Sequence, residues 1–401
     1  KFVMGTCCSN QKPFNYQEYA KKKIRIAIER GQLDKLKQYL KRFCTSVQNK
    51  PTLDINEEII KSAADSLVES GLRDLGYVYV NIDDCWALHQ RSPEGKLVPD
   101  PKRFPSGISA LADYVHSKGL KIGIYSDAGT KTCAGQPGSL YHEQSDAQQF
   151  ADWGFDYLKY DTCHDKSIPA IKRYTPMRDA LNATGKEIFY SICDWGIQDP
   201  WKWGPEVGNS WRTTIDIKDF WASMWLNFYL NSEHASAAGP GGWNDPDMLE
   251  VGNGGMTFEE YKAHFSLWAL VKAPLIIGCE LGSMSSETLQ ILGNQEVIAI
   301  NQDKLGVQAT CRKGCSFANF VLGYEYQVFA GPLENGDWAV GVINWSLLSK
   351  HNIHYNLKEL GIQGKVQIKD LWENEVQESD QISVQTLKGH SVKLYRVLTN
   401  N

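Results

Sequence analysis

Four β-rich runs in this 401-residue chain lead straight into acidic side chains, and a fifth acid follows shortly after a weaker run. YVYVNI (77–82) leads into Asp83-Asp84, KIGIY (121–125) into Ser126-Asp127, DYLKY (156–160) into Asp161 and EIFYSI (187–192) into Cys193-Asp194, while Asp216 lies beyond Trp211-Arg212-Thr213-Thr214. A single aspartate after a strand is most often a helix N-cap, its carboxylate accepting from free backbone N–H groups. Repetition at five ends argues for a cluster instead. One of these strands also carries Lys159 two residues before Asp161. A period of two puts both side chains on one side of the strand, where an ammonium would keep Asp161 ionised. Carboxylates gathered in this way are the raw material of glycoside hydrolysis. One, ionised, attacks the anomeric carbon; the other gives a proton to the leaving oxygen and then takes one from water. Arg212 is placed to hold a sugar hydroxyl or to orient a carboxylate through a bidentate contact.

Other chemistries lack their parts. The ten cysteines form no CxxC pairs at zinc spacing. The acids have no histidine partners and no calcium-loop pattern, and neither GxSxG nor HExxH occurs. No metal and no cofactor is expected.

The elements that must position these residues alternate. Helical patterns are read at Ile59–Leu75, Ile108–Ser117, Glu143–Trp153, Lys172–Ala183, Ile217–Leu230 and Phe258–Val271, with strands between them and weaker strands near Ser210–Thr213, Gly241–Asn244 and Leu275–Gly278. Seven strand-then-helix units whose strands end in acids predict a (β/α)8 barrel over residues 54–305, because the carboxyl ends of parallel barrel strands carry the active site. A doubly wound open sheet would show a glycine-rich phosphate turn after its first strand, and none is visible. After Gln302-Asp303 the texture becomes short strands separated by turns such as Asn335-Gly336-Asp337. Residues 306–401 are therefore read as a small antiparallel β-sandwich, with strands expected at Val321–Tyr324, Tyr326–Phe329, Trp338–Asn344, Ile353–Leu357, Val366–Leu371 and Val392–Leu398. Cys311 and Cys315 fall in a short loop and are close enough in sequence to pair.

Residues 1–53 do not fit the plan. Lys21 to Phe43 reads as two short basic amphipathic helices broken at Gly31, with a solvated charged face. Met4-Gly-Thr-Cys-Cys-Ser9 matches an acylation pattern that acts only if translation starts at Met4. The net charge of −5 argues against a nucleic-acid surface, and no apolar run approaches the roughly 18 residues of a membrane span. The cysteine count and the sequons Asn182-Ala-Thr and Asn344-Trp-Ser favour an oxidising compartment, secreted or lysosomal/vacuolar.

YVNIDDCW (79–86), FPSGISALADYVHSKGLKIGIYSDAG (104–129), DYLKYDTC (156–163), GNSWRTTIDI (208–217) and GPGGWNDPDML (239–249) together resemble the α-galactosidases of glycoside hydrolase family 27, from about residue 54 to the end of the chain. The resemblance implies a barrel followed by an antiparallel β domain and a retaining hydrolase that releases terminal α-D-galactose. It implies Asp161 as nucleophile and Asp216 as acid/base. Asp83 and Asp84 would bind the galactose 4- and 6-hydroxyls. Tyr125, Cys133, Lys159, Cys193, Asp194, Trp195, Arg212, Asp247 and Met248 would line the same pocket. A Cys133–Cys163 disulfide is implied near the site, and a disulfide at Cys85 whose partner would be Cys44, Cys7 or Cys8. Cys193-Asp194-Trp195 stands where plant and fungal members carry Cys-Glu-Trp near the sugar 2-hydroxyl. An acid and a Trp leave less room for an acetamide and favour galactose over N-acetylgalactosamine.

The departure is at the amino end. The family opens its barrel with a Trp-containing strand, of which only Met4-Gly5 is present, Ser9 standing where the Trp would be. Two alternatives to an active α-galactosidase follow: a catalytically impaired galactose-binding or scaffold protein, and an α-N-acetylgalactosaminidase. The expected partner is an α-galactoside oligosaccharide or glycoconjugate, with a homodimer left open.

Overall fold

The computed structural model describes residues 2–5, 55–316, 319, 325–346 and 349–399. Eight parallel strands form one sheet: β1 (Phe2–Gly5), β2 (Tyr79–Ile82), β3 (Lys121–Asp127), β4 (Tyr157–Asp161), β5 (Phe189–Ile192), β6 (Ser210–Arg212), β7 (Trp243–Asp245) and β8 (Ile276–Ile277). Their order is β7-β6-β5-β4-β3-β2-β1-β8. Just beyond β7, Leu249 bridges Ile277 in parallel. Its N–H donates to the Ile276 carbonyl at 2.7 Å, and its own carbonyl accepts from Gly278 at 3.0 Å, which closes the ring.

The backbone of residues 2–5 is the first barrel strand. Phe2 lies opposite Tyr79 on one side and Ile276 on the other, and Gly5 lies opposite Ile82. Residues 6–54 fall outside the described residues, and with them the basic helices read at Lys21–Phe43 and most of the acylation pattern.

The strands read as apolar because both faces are covered. In β3, Ile122, Ile124 and Tyr125 are all buried. The covering helices are α1 (Glu57–Glu69), α2 (Ile108–Ser117), α3 (Glu143–Asp152), α4 (Ala170–Ala183), α5 (Trp221–Ser232) and α6 (Phe258–Leu270). In α1, Ile60, Ala64 and Leu67 make the buried stripe, and the Asn56 side chain caps the first turn by accepting from Ile59 N–H at 3.0 Å. No α-helix separates β5 from β6; two single-turn 3-10 helices, Pro200–Lys202 and Gly204–Glu206, fill that place. Two further helices, α7 (Ser286–Leu292) and α8 (Gln295–Asn301), were not anticipated from the sequence.

Helix α6 is buried nearly all round, from Tyr261 through Leu270, because it is held between the barrel and the C-terminal sheet. A reciprocal Thr257–Glu260 capping box fixes its start and contributes about 1 kcal/mol. The C-terminal sheet runs β14-β13-β16-β11-β10-β9, from β9 (Thr310–Lys313), β10 (Gln327–Pro332), β11 (Trp338–Asn344), β13 (Val366–Asp370), β14 (Val376–Ser379) and β16 (Ser391–Leu398). A two-stranded sheet of β12 (His351–Asn356) and β15 (Gln381–Leu387) packs on it over Val328, Val340, Ile353, Tyr355 and Ile382. The strand expected at 321–324 lies outside the described residues. The two halves share a continuous core: Phe228 of α5 packs edge-on against Phe329 with ring centroids 5.0 Å apart, and Trp372 Nε1 donates to Ser266 Oγ at 2.9 Å.

The two sequons differ in access. Asn344 is fully buried, and its Nδ2 donates to the carbonyls of Ser349 and Leu387. Asn182, near the end of α4, is exposed. A disulfide joins Cys311 to Cys315. Among the described residues no helix is long and apolar enough to cross a membrane.

Candidate active site

The carboxyl ends of the strands meet at one mouth. Asp127 ends β3, Asp161 ends β4 and Asp245 ends β7. Asp83 and Asp84 follow β2, Asp194 lies two residues past β5, and Asp216 four past β6. The parallel register of β3 and β4 sets Tyr125 beside Lys159 and Asp127 beside Asp161. Beneath the mouth, Trp211 is fully buried with Nε1 donating to Asn244 Oδ1 at 2.7 Å. Gly204 and Gly242 let the backbone close on its ring, since a Cβ at either would come within 2.8 Å of it.

Asp161 is buried, and both of its oxygens are held. Oδ2 accepts from Tyr125 OH and Oδ1 from Thr162 N–H, each at 2.9 Å. The Cys133–Cys163 disulfide lies against it; Tyr125 OH is 3.3 Å from Cys133 Sγ. Lys159 does share the inward side, but its ammonium bonds Asp83 Oδ2 at 2.9 Å. Burial lifts the Asp161 carboxyl to about 6, Lys159 pulling it down and Asp216 pushing it up. Lys159 thus acts on Asp161 in the expected direction, and the loss of solvent outweighs it.

Asp216 sits at the rim with its side chain 44 % exposed. The effect of its burial is outweighed by Arg212 and then Lys159, which draw its carboxyl below the ordinary range. Arg212 is itself buried. Its Nη2 lies 3.1 Å from Asp216 Oδ1 and 2.9 Å from Asp247 Oδ2 and donates to the Thr214 carbonyl at 3.1 Å, so one nitrogen is shared by two carboxylates rather than forming a fork on one. The negative charge of Asp216 raises the Asp161 carboxyl, so the protonation of Asp161 depends on it. In the free site the pair holds one proton below about 6, on the Asp161 side, while Arg212 keeps Asp216 ionised.

The other residues singled out in the sequence fall around this pair. Asp84 is buried; its Oδ2 accepts from Ala134 N–H at 2.8 Å, and burial raises its pKa. Cys193, Arg212, Asp247 and Met248 line one cleft with Lys159, and the Cys193 thiol lies 3.7 Å from Arg212 Nη1. Asp194 Oδ2 accepts from Gln198 N–H at 2.8 Å, while its Oδ1 is buried without a hydrogen-bond partner among the described residues; burial brings its carboxyl to about 7. Trp195 follows with a left-handed backbone, φ 53°, half-buried. Cys85 is disulfide-bonded, and the three cysteines proposed as its partner lie outside the described residues.

Two further acids belong to the mouth. Asp127 is fully buried and accepts from Gly129 and Cys163 N–H groups at 2.7 and 2.9 Å; burial, with Asp161 beside it, raises its pKa strongly. Asp245 is raised to about 6 by burial. Both close strands, the same signal that marked Asp161. Asp127, Cys133, Asp161 and Cys163 lie close together, but both sulfurs are committed to the disulfide, which leaves no thiolates for a metal.

A parallel eight-stranded barrel with paired, unequally titrating carboxylates at its carboxyl end, carrying a β-sandwich, is the architecture of a glycoside-hydrolase barrel. The family profile described as Alpha galactosidase A matches residues 38–303, and that of the Alpha galactosidase C-terminal beta sandwich domain matches residues 323–397. The chain is 56% identical over 329 residues to Alpha-galactosidase 3 of Arabidopsis thaliana, an alignment covering 80% of this chain and 72% of that one. It superposes on alpha-galactosidase I from Mortierella vinacea with TM-score 0.81 and 35% identity, covering 86% of this chain and 94% of the other. A structure of the Saccharomyces cerevisiae enzyme with raffinose gives TM-score 0.80 and 32% identity, covering 86% and 95%. This chain belongs to the α-galactosidase A family.

Proposed function

We propose that this chain releases terminal α-D-galactose from galactosides by double displacement, with Asp161 as nucleophile and Asp216 as acid and then base. One observation carries the reading: two carboxylates share the barrel mouth, the charge of one raises the carboxyl of the other, and they are held by different partners, Tyr125 and Thr162 for Asp161, Arg212 for Asp216. The fixed Asp161 oxygens suit attack at the anomeric carbon, and the half-exposed Asp216 suits exchange with a leaving oxygen and with water. In the first step the bond from C1 to Asp161 forms as the glycosidic bond breaks, and Asp216 protonates the departing oxygen. In the second, water attacks C1, gives its proton to Asp216, and frees Asp161. Asp83 and Asp84 are assigned to the 4- and 6-hydroxyls, and Asp194 to the neighbourhood of the 2-hydroxyl. The family membership and the relatives' names support galactose as the sugar.

The first step needs one proton on the pair when the leaving group is poor, whereas the second begins with Asp216 ionised. Because that proton is held only below about 6, kcat/KM for an α-galactosyl disaccharide should be sustained on the acidic side and fall as pH rises through about 6. The proton passes to Asp216 once substrate sits against Asp161. A pH–rate profile checks this. Absence of galactose release at every pH would overturn the function, and a profile flat to about pH 8 would overturn the shared proton. The disulfide-bonded cysteines and the exposed Asn182 sequon support a secretory or vacuolar location.

A further inference from the structure

Asp161 ends a strand whose register with β3 and β5 fixes it. Asp216 has no such support: it lies four residues beyond β6, at the rim. Beyond its contact with Arg212, what holds it is the way its loop is tied down. On the inner side, Asn227 Nδ2 donates to the carbonyls of Ile215 and Pro246 at 3.0 Å, and Ile217 N–H donates to Asp247 Oδ2 at 2.8 Å. On the outer side there is a second tie, three residues past Asp216. Asp219 Oδ1 accepts from Tyr261 OH at 2.8 Å, and Oδ2 accepts from Gly255 N–H at 2.5 Å. Tyr261 OH in turn accepts from Gly254 N–H at 2.6 Å.

We propose that Asp219 and Tyr261 are positioning residues for the acid/base carboxylate, clamping the loop that carries Asp216 to the 254–256 segment and to α6. Resting on the function proposed above, the clamp extends it to residues that touch neither substrate nor the reacting atoms. Its foundation is rigid, because α6 is gripped between barrel and β-sandwich. Its fit is close: a Cβ on Gly255 would stand 2.0 Å from the Asp219 carbonyl, so only glycine lets the two segments meet. Gly254, with φ 90°, turns the chain so that its N–H reaches Tyr261. A displacement of about 1 Å in a proton donor costs on the order of 100-fold in rate, which is reason to tie such a loop on both sides.

The test separates positioning from folding by varying the leaving group. Acid catalysis matters for a poor leaving group, such as the sugar of an α-galactosyl disaccharide, and little for dinitrophenolate. Tyr261→Phe and Asp219→Asn should each lower kcat/KM for the disaccharide about 10- to 100-fold, and change it less than about 3-fold for the dinitrophenyl α-galactoside. Gly255→Ala should show the same bias by pushing the segments apart, and Asp216→Ala serves as the reference. Equal losses on both substrates, which a merely structural role would give, would overturn the proposal, as would no loss on either. If Asp216→Ala itself shows no leaving-group bias, the assignment of the acid/base has failed; if it does and the clamp variants do not, only the clamp has failed.

Discussion

Asp161→Asn should abolish turnover of activated and unactivated α-galactosides alike, lowering kcat by on the order of 10⁵-fold. The amide keeps the shape of the carboxyl, and its oxygen still accepts from Thr162 N–H or Tyr125 OH, so the pocket is preserved. What it lacks is a charged oxygen able to bond to C1, and no leaving group compensates for that. Stability should not fall with activity. A folded-state pKa raised to about 6 means that ionised Asp161 is disfavoured by the fold; that stability is fully present below the ordinary carboxylate range and is lost as pH rises through 6. A neutral amide does not undergo this loss, so at neutral pH the variant should melt at or above the parent temperature. Steady-state assays beside thermal melts at pH values either side of 6 check both halves. Residual activity within about tenfold of the parent would remove Asp161 from the mechanism.

Asp216→Ala should behave differently. For a disaccharide, kcat/KM should fall by about 10² to 10⁴, the usual worth of a positioned proton donor. For a dinitrophenyl galactoside the first step needs no proton, so it should stay fast while the second step, deprived of its base, slows. The expected signature is a burst of dinitrophenolate close to one equivalent of enzyme, followed by slow turnover. Arg212 would keep Asp247 as its partner at 2.9 Å, so the guanidinium is not left buried alone. Stopped-flow absorbance reads the burst; unchanged disaccharide kinetics would contradict the role.

Much of the frame was legible because it follows simple periods. Alternating apolar strands and amphipathic helices gave the barrel, and the aspartates closing β2, β3, β4 and β5 pointed to its mouth. Period two placed Lys159 inward with Asp161, yet the sign of the net shift on Asp161 depends on how much water is excluded, which no spacing reveals. Asp127 is among the strand-end acids that the sequence marks, whereas Asp245 is not; the burial and backbone donors of both exist only once the strands are side by side. The Asp219–Tyr261 tie joins residues 42 apart on a loop and a helix, a contact set by packing. Strand β1 is four residues long, too short for its own residues to decide its pairing with β2 and β8. Strand β14 and much of β15 are exposed and polar, which hides the alternation that would reveal them.

If Asp161 forms a bond to the sugar, two inversions leave the anomeric configuration unchanged. Proton NMR of the first-formed product, followed through the anomeric doublets before mutarotation, tests it most directly. With Asp161 as nucleophile, α-galactopyranose should appear first and the β anomer grow in later. First appearance of β-galactopyranose would show a single displacement by water and would contradict it.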